Sequence, residues 1–148
     1  MMKKILLSII AALAMVLGGC SKDDEGTVVK SGNDNRPAWR APANYGDYEQ
    51  FMSVLITLQD ELQPYASTND LLCAKVNGEV RDVAAPDIID NKATFSLTIA
   101  GNGNDAGIEL CYYSDRLHRI FTLSNWAVFD ASVAPMGTGS LYQPAFPL

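Results

Sequence analysis

Leu71-Leu72-Cys73-Ala74-Lys75-Val76-Asn77-Gly78-Glu79-Val80-Arg81-Asp82-Val83-Ala84 is the stretch whose reading decides the fold. Asn-Gly between two mainly apolar runs is the preferred type I′ hairpin turn, because both central residues must take positive φ. A two-residue turn also fixes the pairing: Val76 opposite Glu79, Ala74 opposite Arg81, Leu72 opposite Val83. On that register Leu72, Val76, Glu79 and Arg81 share one face, and Lys75 lies diagonal to Asp82 on the other.

Working outward toward the C-terminus, Ala93-Thr94-Phe95-Ser96-Leu97-Thr98-Ile99 alternates polar and apolar residues, the period of a half-buried strand. Residues 101–107, rich in Gly and Asn, turn the chain. Ile108-Glu109-Leu110-Cys111-Tyr112-Tyr113 alternates again, Ser114-Asp115 turns, and Ile120-Phe121-Thr122-Leu123 continues. A last strand is expected over Trp126 to Phe129, broken by the Gly-rich residues 136–140. Alternation sets Tyr112 inward with Ile108 and Leu110. It sets Tyr113 outward with Glu109, as a surface aromatic. Short strands separated by turn signals predict an all-β fold, a single antiparallel β-sandwich of immunoglobulin-like type over residues 45–148.

Toward the N-terminus the pattern is ambiguous. Phe51, Leu55, Leu58, Leu62 and Tyr65 fall at helical spacing, whereas Met52, Val54, Ile56 and Leu58 fall at strand spacing. Periodicity alone slightly favours a helix across 48–62. Residues 20–44 are short of large apolar groups and rich in Gly, Ser, Asn, Asp and Pro, the composition of a disordered linker. As a flexible tether of about 24 residues it would reach roughly 25–30 Å.

Residues 1–19 carry Lys3 and Lys4, then an apolar run from Ile5 to Leu17 that is too short for a bilayer span of about 20 residues. The run ends in Leu17-Gly18-Gly19-Cys20, which resembles the bacterial lipobox. It reads as a helical lipoprotein signal peptide, with Cys20 the residue that accepts lipid. Multiple acyl chains anchor where one chain binds only marginally, since each buried methylene contributes roughly 0.8 kcal/mol. The partner so implied is a membrane. Removal of residues 1–19 would leave nine basic side chains against seventeen acidic ones, a formal charge of −8. That balance argues against nucleic acid and against charge-driven adhesion to anionic lipid.

Two further features carry a resemblance. Ser21-Lys22-Asp23-Asp24-Glu25-Gly26 resembles the export tag of Bacteroidetes surface lipoproteins, in which acidic residues next to the lipidated cysteine direct the chain to the outward-facing leaflet. On that resemblance Lys22, Asp23, Asp24 and Glu25 form the export signal, and the location implied is the outer membrane, facing the cell exterior. From about Trp39 to Pro147 the order of features resembles a small β-sandwich module repeated in many surface and secreted proteins of that group. The matching features are Tyr48-Glu49-Gln50-Phe51-Met52-Ser53-Val54, Asp70 through Ala84, the Phe95-x-Leu97-x-Ile99 strand and Tyr112-Tyr113. Lys75 stands where the module has an aromatic residue and Asp82 where it has Gly. The resemblance implies a strand through Thr57 and carries no assigned activity.

Candidate chemistry is sparse. Glu79 and Arg81 form the most prominent charged pair. With Tyr113 they are the candidate ligand-binding residues, for a carboxylate or a sugar hydroxyl. The bland alternative is a self-neutralising surface pair contributing at most about 1 kcal/mol. Asp70 lies roughly 13 Å along the strand from Ala74 and is not expected to join them. His118 is the sole histidine, so metal ligation by paired histidines is excluded. Ser114 or Ser124 with His118 offers the residue types of a triad, without a nucleophile-elbow sequence. Asn102, Asn104 and Asp105 are oxygen ligands of the kind calcium takes, with one carboxylate and no bidentate Glu. Trp39, Tyr45, Tyr48, Tyr112, Tyr113 and Trp126 are the aromatic candidates for a sugar platform, most of them expected to pack in the fold.

With Cys20 lipidated, Cys73 and Cys111 remain, with no Cys-x-x-Cys spacing. An exported compartment permits a disulfide between them, though buried free cysteines are common and free thiols are the expected state. The sequence therefore points to a non-catalytic binding or adhesion module for a glycan or protein ligand, with no cofactor and no metal. The alternatives are a structural accessory subunit of an outer-membrane assembly and, remotely, a small hydrolase.

Overall fold

The computed structural model describes residues 29–103, 105, 107–128 and 142–148. Cys20, Lys22, Asp23, Asp24, Glu25, Asn104, Phe129 and residues 136–140 lie outside them. The strands are β1 (Gln50–Thr57), β2 (Leu71–Val76), β3 (Glu79–Ala84), β4 (Asp87–Ile89), β5 (Lys92–Gly101), β6 (Gly107–Ser114) and β7 (Arg119–Val128). They form a three-stranded sheet ordered β1-β5-β4 and a four-stranded sheet ordered β3-β2-β6-β7, with every strand pair antiparallel. The two sheets pack face to face as a β-sandwich. Met52, Val54 and Ile56 of β1, Phe95, Leu97 and Ile99 of β5, Leu72, Ala74 and Val76 of β2, and Ile108, Leu110 and Tyr112 of β6 fill the space between them. Period-two alternation is what delivers these residues to one side of each strand.

The ambiguous segment is the strand β1. Leu58 and Leu62 are fully buried as well, but beyond the strand end, where a short 3₁₀ turn at Gln63–Tyr65 folds the chain over the core. Helical spacing there arises from a strand joined to a tight turn. The last strand begins earlier than expected: residues 119–128 are one strand, with a register irregularity opposite Ile108/Leu110 and Asn125 at φ 51°. A hairpin absent from the sequence reading joins β4 to β5 through Asp90 and Asn91, both at positive φ (53° and 63°). Those are the dihedrals of a type I′ turn, and Asp and Asn are the non-glycine residues that tolerate them best.

The Asn77-Gly78 turn is present, with φ of 53° and 80°, and Val76 pairs with Glu79 as expected. Beyond Val80 the register departs from the expected one. Lys75 pairs with Val80 and Ala74 with Asp82, so Arg81 is an extra residue in β3, and Leu72 faces Ala84 rather than Val83. This is a β-bulge, two residues against one. It places Arg81 and Asp82 together toward the opposite sheet, so Asp82 no longer shares a face with Lys75.

The linker read over 20–44 is also corrected for its second half. Gly32 and Asp34 donate backbone N–H groups to the carbonyls of Leu117 and His118, and the Asp34 carboxylate accepts from Ile120 N. Val29 is buried in the core cluster. Residues 36–39 lie on the outer face of the four-stranded sheet, with Arg36 over the Tyr113 ring and Lys75 over the Trp39 ring. At the other end of the chain, Tyr142 bridges β1 at Ile56 in parallel fashion, and Gln59 accepts from Phe146 N while donating to Phe146 O. Phe146 thereby closes an aromatic cluster around Tyr112, whose ring lies about 6 Å from Phe95, Phe121 and Phe146.

Candidate functional site

Arg81 is almost fully buried, and its guanidinium is engaged on several sides. Nε donates to Glu79 Oε1 at 2.8 Å; Nη1 donates to Asp105 Oδ2 at 2.7 Å and to the Ala100 carbonyl at 2.9 Å; Nη2 donates to Asp105 Oδ1 at 3.2 Å. The Tyr48 ring covers its face at 4.8 Å. Four of five N–H groups are thus named donors, which leaves little to offer a ligand. The neighbouring Asp82 accepts from Thr98 N and from the Tyr45 hydroxyl. Strand β4 pairs with β5 only as far as Thr94, so Thr98 N–H and Ala100 C=O would face outward from an unpaired edge. The bulge sends Asp82 to one and Arg81 to the other. The pair is a latch between the sheets.

Tyr113, read as a surface aromatic, is 2% exposed. Alternation did place it on the outer face; residues 36–39 then cover that face. Arg81 and Tyr113 therefore do not meet on an open surface. Glu79 is exposed and spends one oxygen on Arg81. The other aromatic candidates are occupied as well: Tyr45 by Asp82, Tyr48 by Arg81, Trp39 by Lys75, and Trp126 against the core. Asp105, the carboxylate of the candidate calcium loop, accepts from Arg81 and from Asn102 N. Arg81 holds its carboxyl below the usual range, chiefly by hydrogen bonding. His118 is exposed at φ 49° in the β6–β7 turn. Ser114 is buried and accepts from Leu117 N, and Ser124 donates to Glu109, so neither described contact involves the histidine.

An open concavity lies elsewhere among the described residues. A cleft of about 560 Å³ is lined by Gln63, Pro64, Ala66, Ser67, Thr68, Ile88, Asn91 and Arg116. Three segments converge there: the 63–68 connection, the β4–β5 turn and the β6–β7 turn. Polar amides and hydroxyls alternate with the small apolar surfaces of Pro64, Ala66 and Ile88. Arg116 is exposed and makes no ion pair among the described residues.

Behind this cleft sits Asp70, completely buried. Its carboxylate accepts from Ser67 N at 2.9 Å, from Asp115 N at 2.9 Å and from the Tyr112 hydroxyl at 2.7 Å. Ser67 belongs to one wall of the cleft, and Asp115 adjoins Arg116 on the other. Asp70 is the brace that fixes the two walls relative to each other and to the aromatic core. Burial pushes its carboxyl above the ordinary range, against the lowering effect of its three donors. Burial and the facing carboxylate raise the Tyr112 phenol likewise.

Sequence reasoning passed over Gln63, Ser67, Asn91 and Arg116 because they sit in connections whose convergence only the fold creates. One local signal was present: Ser67-Thr68-Asn69-Asp70 is an Asx/ST-turn sequence, and Asn69 N donates to Ser67 Oγ. The chain matches no family model, no curated protein and no solved structure.

Proposed function

We propose that this chain is an outer-membrane lipoprotein, lipidated at Cys20 and facing the cell exterior, that carries a non-catalytic binding module for a glycan or protein ligand. The membrane half of this reading rests on the Leu17-Gly18-Gly19-Cys20 sequence and on the acidic run after it. The binding half rests on one observation: the cleft braced by Asp70, which presents Ser67, Thr68, Gln63 and Asn91 beside an exposed guanidinium at Arg116. Hydroxyls and amides around a cation suit a ligand bearing carboxylate and hydroxyl groups, since planar guanidinium recognises carboxylate through paired hydrogen bonds. Its volume falls within the roughly 300–1,000 Å³ range of ligand pockets.

A glycan array combined with pull-down from the native envelope tests the reading. A ligand retained by the wild-type chain and lost on Arg116→Glu supports it; no ligand in either assay overturns it. Metabolic labelling with palmitate, lost on Cys20→Ala, tests the anchor. Protease shaving of intact cells tests the leaflet, because a fully protected domain would be periplasmic.

The accessory-subunit reading keeps one supporting observation. Ile88 and Ile89 of β4 are 36% and 69% exposed, consecutive residues on the free edge strand of the smaller sheet. That reading predicts stable co-purification with membrane proteins and no soluble ligand.

A further inference from the structure

Cys73 and Cys111 are both thiols in the structure and stand directly opposite each other on the adjacent antiparallel strands β2 and β6. Leu72, Ala74 and Val76 point into the sandwich, as do Leu110 and Tyr112, so both cysteines belong to the outer face of the four-stranded sheet. Directly opposed residues on antiparallel strands have Cα atoms about 4.5 or 5.5 Å apart, according to the pair type. Both distances lie within the roughly 4.4–6.8 Å that a disulfide spans. Yet this outer face is closed: Cys73 is 0% and Cys111 3% exposed.

The cover is the N-terminal segment. Tyr113 pairs with Leu71 one row to one side of the cysteines, and Glu109 pairs with Lys75 one row to the other. Arg36 sits over Tyr113 at 5.9 Å, and Lys75 Nζ sits over Trp39 at 5.5 Å. Positions 109 and 113 are four residues apart, roughly 13 Å at strand rise. Three residues of extended chain span roughly 10 Å. The side-chain reach of Arg36 and Lys75 makes up the difference, which sets Pro37 and Ala38 over the row that Cys73 and Cys111 occupy.

We propose that Cys73 and Cys111 form a dithiol–disulfide couple, an oxidation site closed beneath residues 36–39. The oxidant is a small or protein-borne disulfide. One cysteine thiolate attacks it, forming a mixed disulfide and releasing one thiolate. The second cysteine thiolate then attacks the protein sulfur, closing the Cys73–Cys111 bond and releasing the other. The protein loses two protons and two electrons, which leave on the two external thiols. Burial, with the facing Cys111 adding to it, pushes the Cys73 thiol up to about 12. The covered pair therefore holds little thiolate, and exchange is fast only when the segment lifts.

The test uses the full chain in detergent, equilibrated with reduced and oxidised glutathione, then acid-quenched, alkylated and mapped by mass spectrometry of Cys73 and Cys111 peptides. Expected is a reversible Cys73–Cys111 cross-linked peptide lighter by two hydrogens, with an upward shift in melting temperature. Both cysteines remaining alkylated at the oxidising limit, or carrying only glutathione, would overturn the proposal. Lifting the cover by Trp39→Ala with Arg36→Ala is expected to speed cross-linking several-fold without moving the equilibrium ratio. Trp39→Ala alone, which leaves the Lys75 charge beside the thiols in place, serves where the double variant fails to fold. An unchanged rate would overturn the role of the cover.

Discussion

Arg81 and Asp105 are joined by a two-pronged ion pair, at 2.7 and 3.2 Å, while the same guanidinium holds the Ala100 carbonyl of β5 at 2.9 Å. Both side chains are nearly inaccessible, at 5% and 6% exposure. Breaking such a pair leaves an uncompensated buried charge, which costs about 3–5 kcal/mol. Arg81→Met is therefore expected to lower stability by about 3 kcal/mol in urea denaturation. Asp105→Asn, which keeps the shape and one acceptor, is expected to cost somewhat less. Glu79→Gln touches an exposed partner, and its cost should stay below about 1 kcal/mol.

The same pair gives a signed pH dependence. Arg81 lowers the Asp105 carboxyl in the fold, so its stabilisation is complete above the ordinary carboxylate value, about 3.9, and is lost as pH falls through the lowered value. Asp70 runs the other way: burial raises its carboxyl, so its protonated form favours the fold at low pH. That contribution is lost as pH rises through the raised value. Melting temperatures measured from acid to neutral pH should show a shallower acid-side loss for Asp105→Asn and a steeper one for Asp70→Asn.

Asp82 satisfies Thr98 N–H on the stretch of β5 that β4 does not reach. Asp82→Ala leaves that donor without its carboxylate and releases the Tyr45 hydroxyl. The expected cost is about 1–3 kcal/mol. The local signature is amide exchange at Thr98 accelerating more than at Val54 or Leu97. Equal acceleration at all three sites would mean the latch contributes only to global stability.

What the sequence made legible follows from which signals are local. Asn77-Gly78 declares its turn through dihedrals that few residue pairs adopt, and the alternation in β5 and β6 names the core faces, Tyr112 included. The register beyond Val80 was illegible because a bulge follows from what Arg81 and Asp82 find across the sandwich, not from their own strand. Tyr113 was placed on the correct face and given the wrong environment, since the cover comes from residues 36–39, whose composition reads as linker. The cleft was hidden for a related reason: Gln63, Asn91 and Arg116 are far apart in sequence and meet only when three connections converge.

Asp70 supplies the most discriminating prediction about that cleft. Its three donors come from Ser67, Asp115 and Tyr112, so it holds both walls while touching nothing in the open space. Asp70→Asn keeps the volume but replaces one accepting oxygen with an amide that must face an N–H or O–H donor. The expected cost is about 2 kcal/mol, with faster amide exchange at Ser67 and Asp115. Arg116→Ala removes an exposed side chain with no ion pair among the described residues, and should leave the melting temperature unchanged. If the cleft is the binding site, both variants weaken the ligand found by array or pull-down, one by disordering the walls and the other by removing a contact. Tyr112→Phe separates the two effects. It takes one donor from Asp70 and leaves both wall contacts, so it should lower stability while binding by the folded protein stays close to wild type. Equal binding by Asp70→Asn and wild type at a temperature where both are folded would sever the brace from the site.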